Sequence, residues 1–321
     1  MSDLSDVTTL EPVTEQFIQA LAAAGDPPIY ALSPSAARDV LARAQAAPIG
    51  KPAARIEDIS FPVGPTGSVP VRIVRPVDHS GFLPVIMHFH GGGWVLGDKN
   101  THDRLVRELA VGVHAAVVFV EYGRSPETRF PVAIEQAYAA MEHVAQSGTQ
   151  LGLDPTRLAV VGDSVGGNMA AAVTMLAKER RGPRIAFQVL FYPVTDADFE
   201  TGSYRKFQDG PWLTRHAMKW FWDAYLPEVE ARRHIMASPL NATVDQLKDL
   251  PDALVIVGEN DVLRDEGEAY ARKLAAAGVR VISTRYNGTI HDFVLLNALA
   301  DTPAVRGAVA QAVTTLRCAL A

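Results

Sequence analysis

The feature that most constrains this chain is a serine set between glycines, where a strand-like run meets a helix-like run. The apolar run 158–161 carries no charge and is typical of a buried parallel strand, and residues 167–178 predict a helix. Between them stands the motif Gly162-Asp163-Ser164-Val165-Gly166-Gly167. In such a turn the serine backbone is strained and its hydroxyl is exposed, while a Cβ two residues to either side would collide with the neighbouring strand or helix. We predict that Ser164 is a nucleophile; the alternative is a tight structural turn.

Length, composition and net charge limit the classes of protein to which the chain can belong. With 321 residues, of which 48% are hydrophobic, the chain can bury a large core without disulfides. The net charge of −6 points to neither nucleic acid nor an anionic membrane surface as a partner. The acidic N-terminus does not resemble a secretory signal, and no apolar run reaches the roughly 20 residues of a membrane span. The single cysteine, Cys318, favours the cytoplasm, and we expect it to be partly buried in the last helix.

Strand-like and helix-like runs alternate from Pro84 onward, after a predicted hairpin of 55–63 and 69–75. This alternation predicts a parallel sheet covered by helices. The predicted strands are 85–89, 116–121, 159–162, 187–191, 254–257 and 279–286, and the predicted helices are 101–112, 131–147, 167–181, 265–277 and 302–320.

Two segments do not follow the alternation of strands and helices. Residues 1–50 predict two helices, and an aromatic-rich stretch without a clear strand follows Tyr192. We predict a helical cap made of residues 1–50 and 196–238, on a core made of 51–195 and 239–321. The alternative is ordinary helical packing, which we favour for Trp220, Phe221 and Trp222, the aromatic run within the second segment.

A serine hydroxyl needs a base to remove its proton and an acid to orient that base. In a sheet of this kind the acid and then the base follow the serine along the chain, each after a late strand. Asp261 lies in the loop after strand 254–257 and is preferred to Glu259, which lies nearer the strand. His291 follows strand 279–286 and is the predicted base. Asp265 and Glu266 are expected to cap the next helix.

The negative charge that develops on a substrate carbonyl oxygen needs backbone N–H donors already aimed at it. The run His90-Gly91-Gly92-Gly93-Trp94 follows strand 85–89 directly. We predict that Gly92, Gly93 and Val165 donate these hydrogen bonds. His88 and His90 have no cysteine or carboxylate nearby at ligand spacing, so we predict no metal site and expect His90 to hold the glycine loop by hydrogen bonding.

These motifs together resemble the bacterial hormone-sensitive-lipase-like (family IV) esterases of the α/β-hydrolase fold. The resemblance covers residues from about 55 onward and rests on the glycine loop, the Gly-Asp-Ser elbow, the acid motif and the Gly288 to Phe293 stretch. It implies a mostly parallel eight-stranded sheet with flanking helices and a helical cap. It also implies hydrolysis of carboxylic esters by Ser164, Asp261 and His291 without metal or organic cofactor, and it leaves a homodimer open.

The expected substrate is a small or medium neutral ester, with Trp94, Trp212 and Phe293 as candidate pocket residues. The same residues could serve lactone or amide hydrolysis or acyl transfer, and a hydrolase-fold receptor for a small molecule is a further alternative. The chain departs from the family at Val165, where alanine is usual, and we expect its bulk to narrow the acyl pocket. The family's Tyr-Arg-Leu-Ala-Pro-Glu stretch also differs here, with its middle replaced in residues 122–127.

Overall fold

The computed structural model of the chain describes residues 9–321 and centres on one eight-stranded sheet. The acidic N-terminal residues up to position 8, and with them the start of the predicted cap, lie outside the described residues. The strand order is β1-β2-β4-β3-β5-β6-β7-β8, and neighbours from β4 to β8 run parallel while β2 is antiparallel to both of its neighbours. The strands are β1 (Ala54–Phe61), β2 (Val69–Pro76), β3 (Leu83–Phe89), β4 (Ala116–Val120), β5 (Leu153–Asp163), β6 (Phe187–Phe191), β7 (Asp252–Asn260) and β8 (Val281–Ile290). The predicted mostly parallel eight-stranded sheet is confirmed.

The first two strands form the predicted hairpin. Ala54 pairs with Pro76 at one end and Phe61 with Val69 at the other. The turn between them contains Gly64 at φ +79°. That backbone region is costly for residues with a Cβ, so glycine allows the chain to reverse there.

Helices cover both faces of the sheet. Alternate residues of β3 enter opposite cores, with Val85 and Met87 in one and Ile86 in the other, as the two-residue period of a strand requires. β5 starts earlier than predicted, at Leu153. The helices are α1 (Pro12–Ala24), α2 (Pro34–Ala44), α3 (Asp103–Val113), α4 (Val132–Ser147), α5 (Val165–Glu179), α6 (Gly202–Lys206), α7 (Arg215–Tyr225), α8 (Val244–Leu247), α9 (Arg264–Ala276) and α10 (Pro303–Ala319).

The two segments predicted to form a cap contact each other. The rings of Phe17 in α1 and Trp212 lie 5.6 Å apart between centroids, as do those of Tyr30 and His216. α2 is also tied to the core, since Nε of Arg38 donates to the carbonyl of Val95 at 2.8 Å. Helix α7 lies within the second segment and carries the aromatic run, with Phe221 and Trp222 buried and Trp220 half-buried, in agreement with a packed helical insertion.

Two further observations concern location and the cysteine. In the part of the chain that the structure describes, no helix combines the length and apolarity needed to cross a bilayer. Cys318 is free and exposed, so the expectation that it is partly buried is wrong. It lies near the C-terminal end of α10, on the side of the helix away from the core residues Ala312 and Leu316.

Candidate active site

Ser164 stands at the turn between β5 and α5 with its backbone in an unusual conformation, φ 55° and ψ −121°. The flanking glycines are required by close packing. A Cβ at Gly162 would lie 2.1 Å from the carbonyl oxygen of Gly166, and one at Gly166 would lie 2.0 Å from the carbonyl oxygen of Phe89. The structure therefore shows the sharp strand–turn–helix connection that the motif predicts.

The two predicted partners of Ser164 are brought to it from the carboxyl-end loops of β7 and β8. Nε2 of His291 lies 2.9 Å from Oγ of Ser164, and Nδ1 of His291 lies 2.8 Å from Oδ2 of Asp261. The other carboxylate oxygen of Asp261 accepts the N–H of Leu263 at 2.9 Å, which fixes the carboxylate. All three side chains are buried. With Nδ1 hydrogen-bonded to Asp261, Nε2 is the nitrogen placed to accept the serine proton.

The neighbouring acidic residues have other partners. Glu259 accepts the N–H of Gly288 at 2.7 Å and so closes the loop before His291. Asp265 accepts the N–H of Ser203, and buried Glu266 accepts the N–H of Thr195, each at 2.7 Å. Asp265 and Glu266 lie in the first turn of α9 as expected, but within residues 9–321 no side chain makes the N-cap hydrogen bond of this helix, so the expected capping bond is not formed. They instead fix segments that follow β6.

The electrostatics of the site favour a charged base. Burial lowers the pKa of His291, but the carboxylates of Asp261 and Asp292 raise it by more, to about 9. Burial raises the pKa of Asp292 against the opposing effect of His291. A charged imidazole must lose its proton before it can act as a general base.

The glycine loop lies beside the serine, at the end of β3. Gly92 and Gly93 have φ of 106° and 63° and line the same cavity as Ser164 and His291. Among residues 9–321, neither of their amides donates a hydrogen bond to a protein acceptor. Val165 is the first residue of α5, where a backbone N–H lacks a partner within the helix. Two of the three predicted donors, Gly92 and Gly93, thus line the cavity, and the third, Val165, directly follows Ser164, which also lines it.

A buried polar cluster supports the glycine loop from behind. Nε2 of His102 lies 3.2 Å from Oδ2 of Asp163, and a Cβ at Gly91 would lie 2.2 Å from the same oxygen. Burial lowers the pKa of His102, but Asp163 raises it to a net upward shift. Nδ1 of His90 contacts the carbonyl of Gly91 at 2.8 Å, so His90 does hold the loop as expected. Within residues 9–321, no three His, Cys, Asp or Glu side chains converge as metal ligands.

The serine opens into a cavity of about 210 Å³ with a mainly apolar lining. Both predicted cap segments contribute to it. The lining residues are Pro28, Ile29, Tyr30, Val40, Leu41, Gly92, Gly93, Leu96, Ser164, Trp212, Leu213, Thr214, Ala217, Met218, Phe221, His291 and Asp292.

Of the three candidate pocket residues, the structure places only Trp212 in this lining. Trp94 is fully buried and stacks on Tyr225 with ring centroids 3.9 Å apart, and Phe293 is buried in the core. Val165 is also fully buried and packs in the core, so its side chain does not narrow this cavity as expected. The expectations for Trp94, Phe293 and Val165 are therefore wrong, because each of these side chains is packed in the core.

Most of the cavity lining was not predicted from the sequence, and two of the missed residues lie directly against predicted site residues. Asp292 lies next to His291 and lines the cavity, and Phe221 packs so closely on the glycine loop that a Cβ at Gly93 would lie 2.0 Å from its ring. The adjacency of Asp292 to His291 was the only available signal for it. The sequence carries no signal for the contact of Phe221 with Gly93, except that Phe221 lies in an aromatic run.

A strained serine between strand and helix, with an acid and a histidine supplied by later strands of the same sheet, defines a hydrolase of the α/β type. A family model described as alpha/beta hydrolase fold matches residues 86–295. The chain belongs to this family, in its hormone-sensitive-lipase-like branch, as the motifs indicated.

Relatives and solved structures agree with this assignment. Carboxylesterase NlhH of Mycobacterium tuberculosis is 38% identical over 273 residues, which cover 84% of each chain. The structure of a thermostable esterase from Pseudomonas putida is 52% identical with a TM-score of 0.96, covering 99% of each chain. A serine-to-alanine mutant of esterase rPPE, complexed with (S)-Ac-CPA, is 51% identical with a TM-score of 0.96 over 99% of each chain.

Proposed function

We propose that Ser164, His291 and Asp261 form a catalytic triad that hydrolyses small to medium neutral carboxylic esters. The protein is a serine carboxylic ester hydrolase, the class to which its named relatives belong. The observation that carries the proposed triad is the continuous chain from Oγ of Ser164 to Nε2 of His291, 2.9 Å, and from Nδ1 to Asp261, 2.8 Å.

In the first half-reaction His291 takes the proton of Ser164 while Oγ attacks the ester carbonyl carbon. The carbonyl oxygen becomes negative in the tetrahedral intermediate and accepts hydrogen bonds from the N–H groups of Gly92, Gly93 and Val165. His291 then protonates the leaving alcohol, and an acyl group stays on Ser164. Asp261 stabilises the imidazolium that exists between these steps.

In the second half-reaction His291 takes a proton from water, and the resulting hydroxide attacks the acyl carbon. The intermediate passes through the same oxyanion site, and collapse returns the proton to Ser164 and releases the carboxylic acid. No metal or organic cofactor is needed, because the proton transfers and charge stabilisation are assigned to side chains and backbone of this chain.

The substrate class follows from the cavity. A volume of about 210 Å³ accommodates a small or medium ester, and its apolar lining gives no compensation for a buried charge. Asp292 faces the same cavity and opposes an anionic acyl group. The comparisons do not favour the lactone, amide, acyl-transfer or receptor alternatives over ester hydrolysis.

The domain division and the location belong to this proposal as well. Residues 1–50 and 196–238 are proposed as the two parts of one cap, supported by their mutual aromatic contacts and by their shared lining of the cavity. A reducing cytoplasm is proposed as the location, supported by a free and exposed Cys318. A homodimer stays a prediction, as does the absence of nucleic-acid partners.

A panel of 4-nitrophenyl esters of rising acyl length tests the function. We expect wild type to turn over the shorter esters, and Ser164→Ala to lower kcat by about 10⁶-fold, the loss that follows removal of a triad serine. Ser283→Ala, at an exposed serine on β8, is the matched control and should behave as wild type. Turnover by both wild type and Ser164→Ala, or by neither, contradicts the proposal.

A further inference from the structure

Nε2 of His291, the nitrogen that faces the serine, has a second carboxylate beside it. Oδ1 of Asp292 lies 3.4 Å from this nitrogen. Among the described residues this oxygen has no hydrogen-bond partner, although it is buried, and the side chain as a whole is only 14% exposed. Asp292 also has a positive φ of 62°, and it lines the cavity. A buried carboxylate oxygen without a protein donor calls for an explanation, and Nε2 of His291 is the group of opposite charge beside it once the imidazole is protonated.

The other oxygen of Asp292 is fixed by the cap. Nε1 of Trp212 donates a hydrogen bond to Oδ2 at 2.9 Å. The Trp212 ring packs on Phe17 of α1 at 5.6 Å, so both cap segments meet at the residue that fixes this carboxylate. The hydrogen bond from Trp212 to Asp292 therefore connects the position of the cap to the carboxylate beside His291.

We propose that Asp292 is a positioning residue that sets the basicity of His291 from its Nε2 side, and that Trp212 holds it in place from the cap. The proposal rests on the triad assigned above. Asp261 secures the Nδ1 side of the ring, and Asp292 acts on the side where the proton is exchanged. The contact at 3.4 Å is longer than a charge-assisted hydrogen bond, so Asp292 attracts the imidazolium without replacing Ser164 as its partner.

The other titratable groups near His291 and Asp292 must be known before a change in the pKa of His291 can be assigned to Asp292. The carboxylates that face His291 are Asp261, Asp292 and the more distant Asp163, and the edge of the Tyr192 ring packs on it. Asp292 contacts His291 and the Trp212 indole. Asp163, Asp261 and His102 are the more distant titratable groups that interact with it electrostatically. Of the three carboxylates, Asp292 alone combines contact with Nε2 and a hydrogen bond to the cap, so the effect of the Trp212 N–H on His291 runs through Asp292 and can be tested with variants at both positions.

The proposed role has a consequence during turnover. Once His291 has taken the serine proton, its positive charge lies between Asp261 and Asp292. Both carboxylates then stabilise the charge that accompanies the tetrahedral intermediate. In the resting enzyme the same two carboxylates favour protonated His291, which cannot act as a base. The enzyme therefore loses activity at low pH, but its tetrahedral intermediate is more strongly stabilised.

The test is the pH dependence of kcat/KM for 4-nitrophenyl acetate, whose acid limb reports the base of the free enzyme. Asp292→Asn removes the charge but keeps the size, an acceptor for Trp212 and tolerance of positive φ. We expect its acid limb to move to lower pH by about one unit or more, the range for loss of a carboxylate near a titrating group. Asp301→Asn, at an exposed carboxylate ten residues away from His291, is the control and should leave the limb in place.

Trp212→Phe tests the link to the cap, because phenylalanine keeps an aromatic ring but loses the N–H donor. We expect its acid limb to move in the same direction by a smaller amount, and Trp212→Phe/Asp292→Asn to move no further than Asp292→Asn. A lower kcat in Asp292→Asn with an unmoved limb means a merely structural role and overturns the proposal. A Trp212→Phe shift of equal size with and without Asp292 overturns the link to the cap.

The two proposals fail in distinguishable ways. If the triad is wrong, wild type shows no acid limb or Ser164→Ala retains activity, whatever the variant at position 292. If only the role of Asp292 is wrong, wild type shows its limb and Asp292→Asn shows the same one. If Asp292→Asn does not fold, ring-labelled His291 can be titrated by NMR in Ser164→Ala and in Ser164→Ala/Trp212→Phe, where equal midpoints refute the proposal.

Discussion

Replacement of Gly93 by alanine tests whether the glycine loop is the oxyanion site and whether the cap holds it in place. Gly93 has a φ of 63°, and alanine pays about 1–2 kcal/mol for a left-handed backbone. The new Cβ would lie 2.0 Å from Cδ1 of Phe221 and 2.2 Å from Cγ. Because carbon atoms normally approach to about 3.5 Å, the loop or the ring must move by more than about 1 Å.

Because the Phe221 ring is itself buried, we expect the loop to yield, and a loop shift of that size takes a backbone N–H out of reach of the substrate oxygen. Loss of one oxyanion donor costs about 2.7–4 kcal/mol, or 10²- to 10³-fold in kcat. Since the hydrogen bond strengthens in the transition state, KM should change little. We therefore expect Gly93→Ala to lower kcat for 4-nitrophenyl acetate by about 100-fold or more, with a KM near that of wild type.

Two further variants separate strain from displacement. Gly81→Ala carries the same kind of strain, at φ 73°, but a Cβ there meets nothing within 4 Å, and the residue is exposed. It should lose about 1 kcal/mol of stability and keep its kcat. Gly93→Ala/Phe221→Ala removes the ring that the new Cβ strikes and should recover at least about 10-fold of the lost kcat. Equal kcat values for Gly93→Ala and Gly81→Ala, measured on folded protein, refute the reasoning.

Three other outcomes are expected. The kcat/KM of wild type should rise with pH as His291 loses its proton. Burial lowers the pKa of His291 but Asp261 and Asp292 raise it to about 9, so the midpoint of the rise should lie above pH 6.5. A midpoint at or below pH 6.5 contradicts this role of the two carboxylates. Val165→Ala should lower the free energy of unfolding in urea by about 2 kcal/mol and leave the acyl-length optimum unchanged, since the side chain is core; a moved optimum contradicts this. A thiol reagent should modify Cys318 in the native enzyme without loss of activity, and inactivation would place the thiol near the site.

The positions of the triad residues were predictable because each follows a strand of one parallel sheet. The carboxyl ends of such strands meet at one edge, so a serine after β5, an acid after β7 and a histidine after β8 are brought together by topology alone. The choice of Asp261 over Glu259 depended on distance from the strand, and the structure gives the physical reason. Glu259 lies within β7 and its carboxylate accepts the N–H of Gly288, whereas Asp261 is the first residue after the strand.

The cavity lining was not predictable in the same way. Trp94 follows the glycines directly and was expected in the pocket, but it stacks on Tyr225 and packs against Trp222, both in helix α7 of the proposed cap. Phe221, from the same helix, reaches Gly93 instead. Such contacts join residues more than a hundred positions apart, and an aromatic run carries no local period that tells which ring faces the core and which faces the site.

These contacts change how substitutions in the cap should be interpreted. The sheet supplies the reacting groups from the ends of its strands, but Phe221 of the proposed cap packs against Gly93, and Trp212 holds the carboxylate beside His291. A change at either residue alters the shape of the cavity and the chemical step together. Met218 and Leu213 line the same cavity with apolar side chains alone. Substitutions at these two positions should therefore shift substrate preference through KM, while those at Phe221 and Trp212 should alter kcat and the pH profile as well.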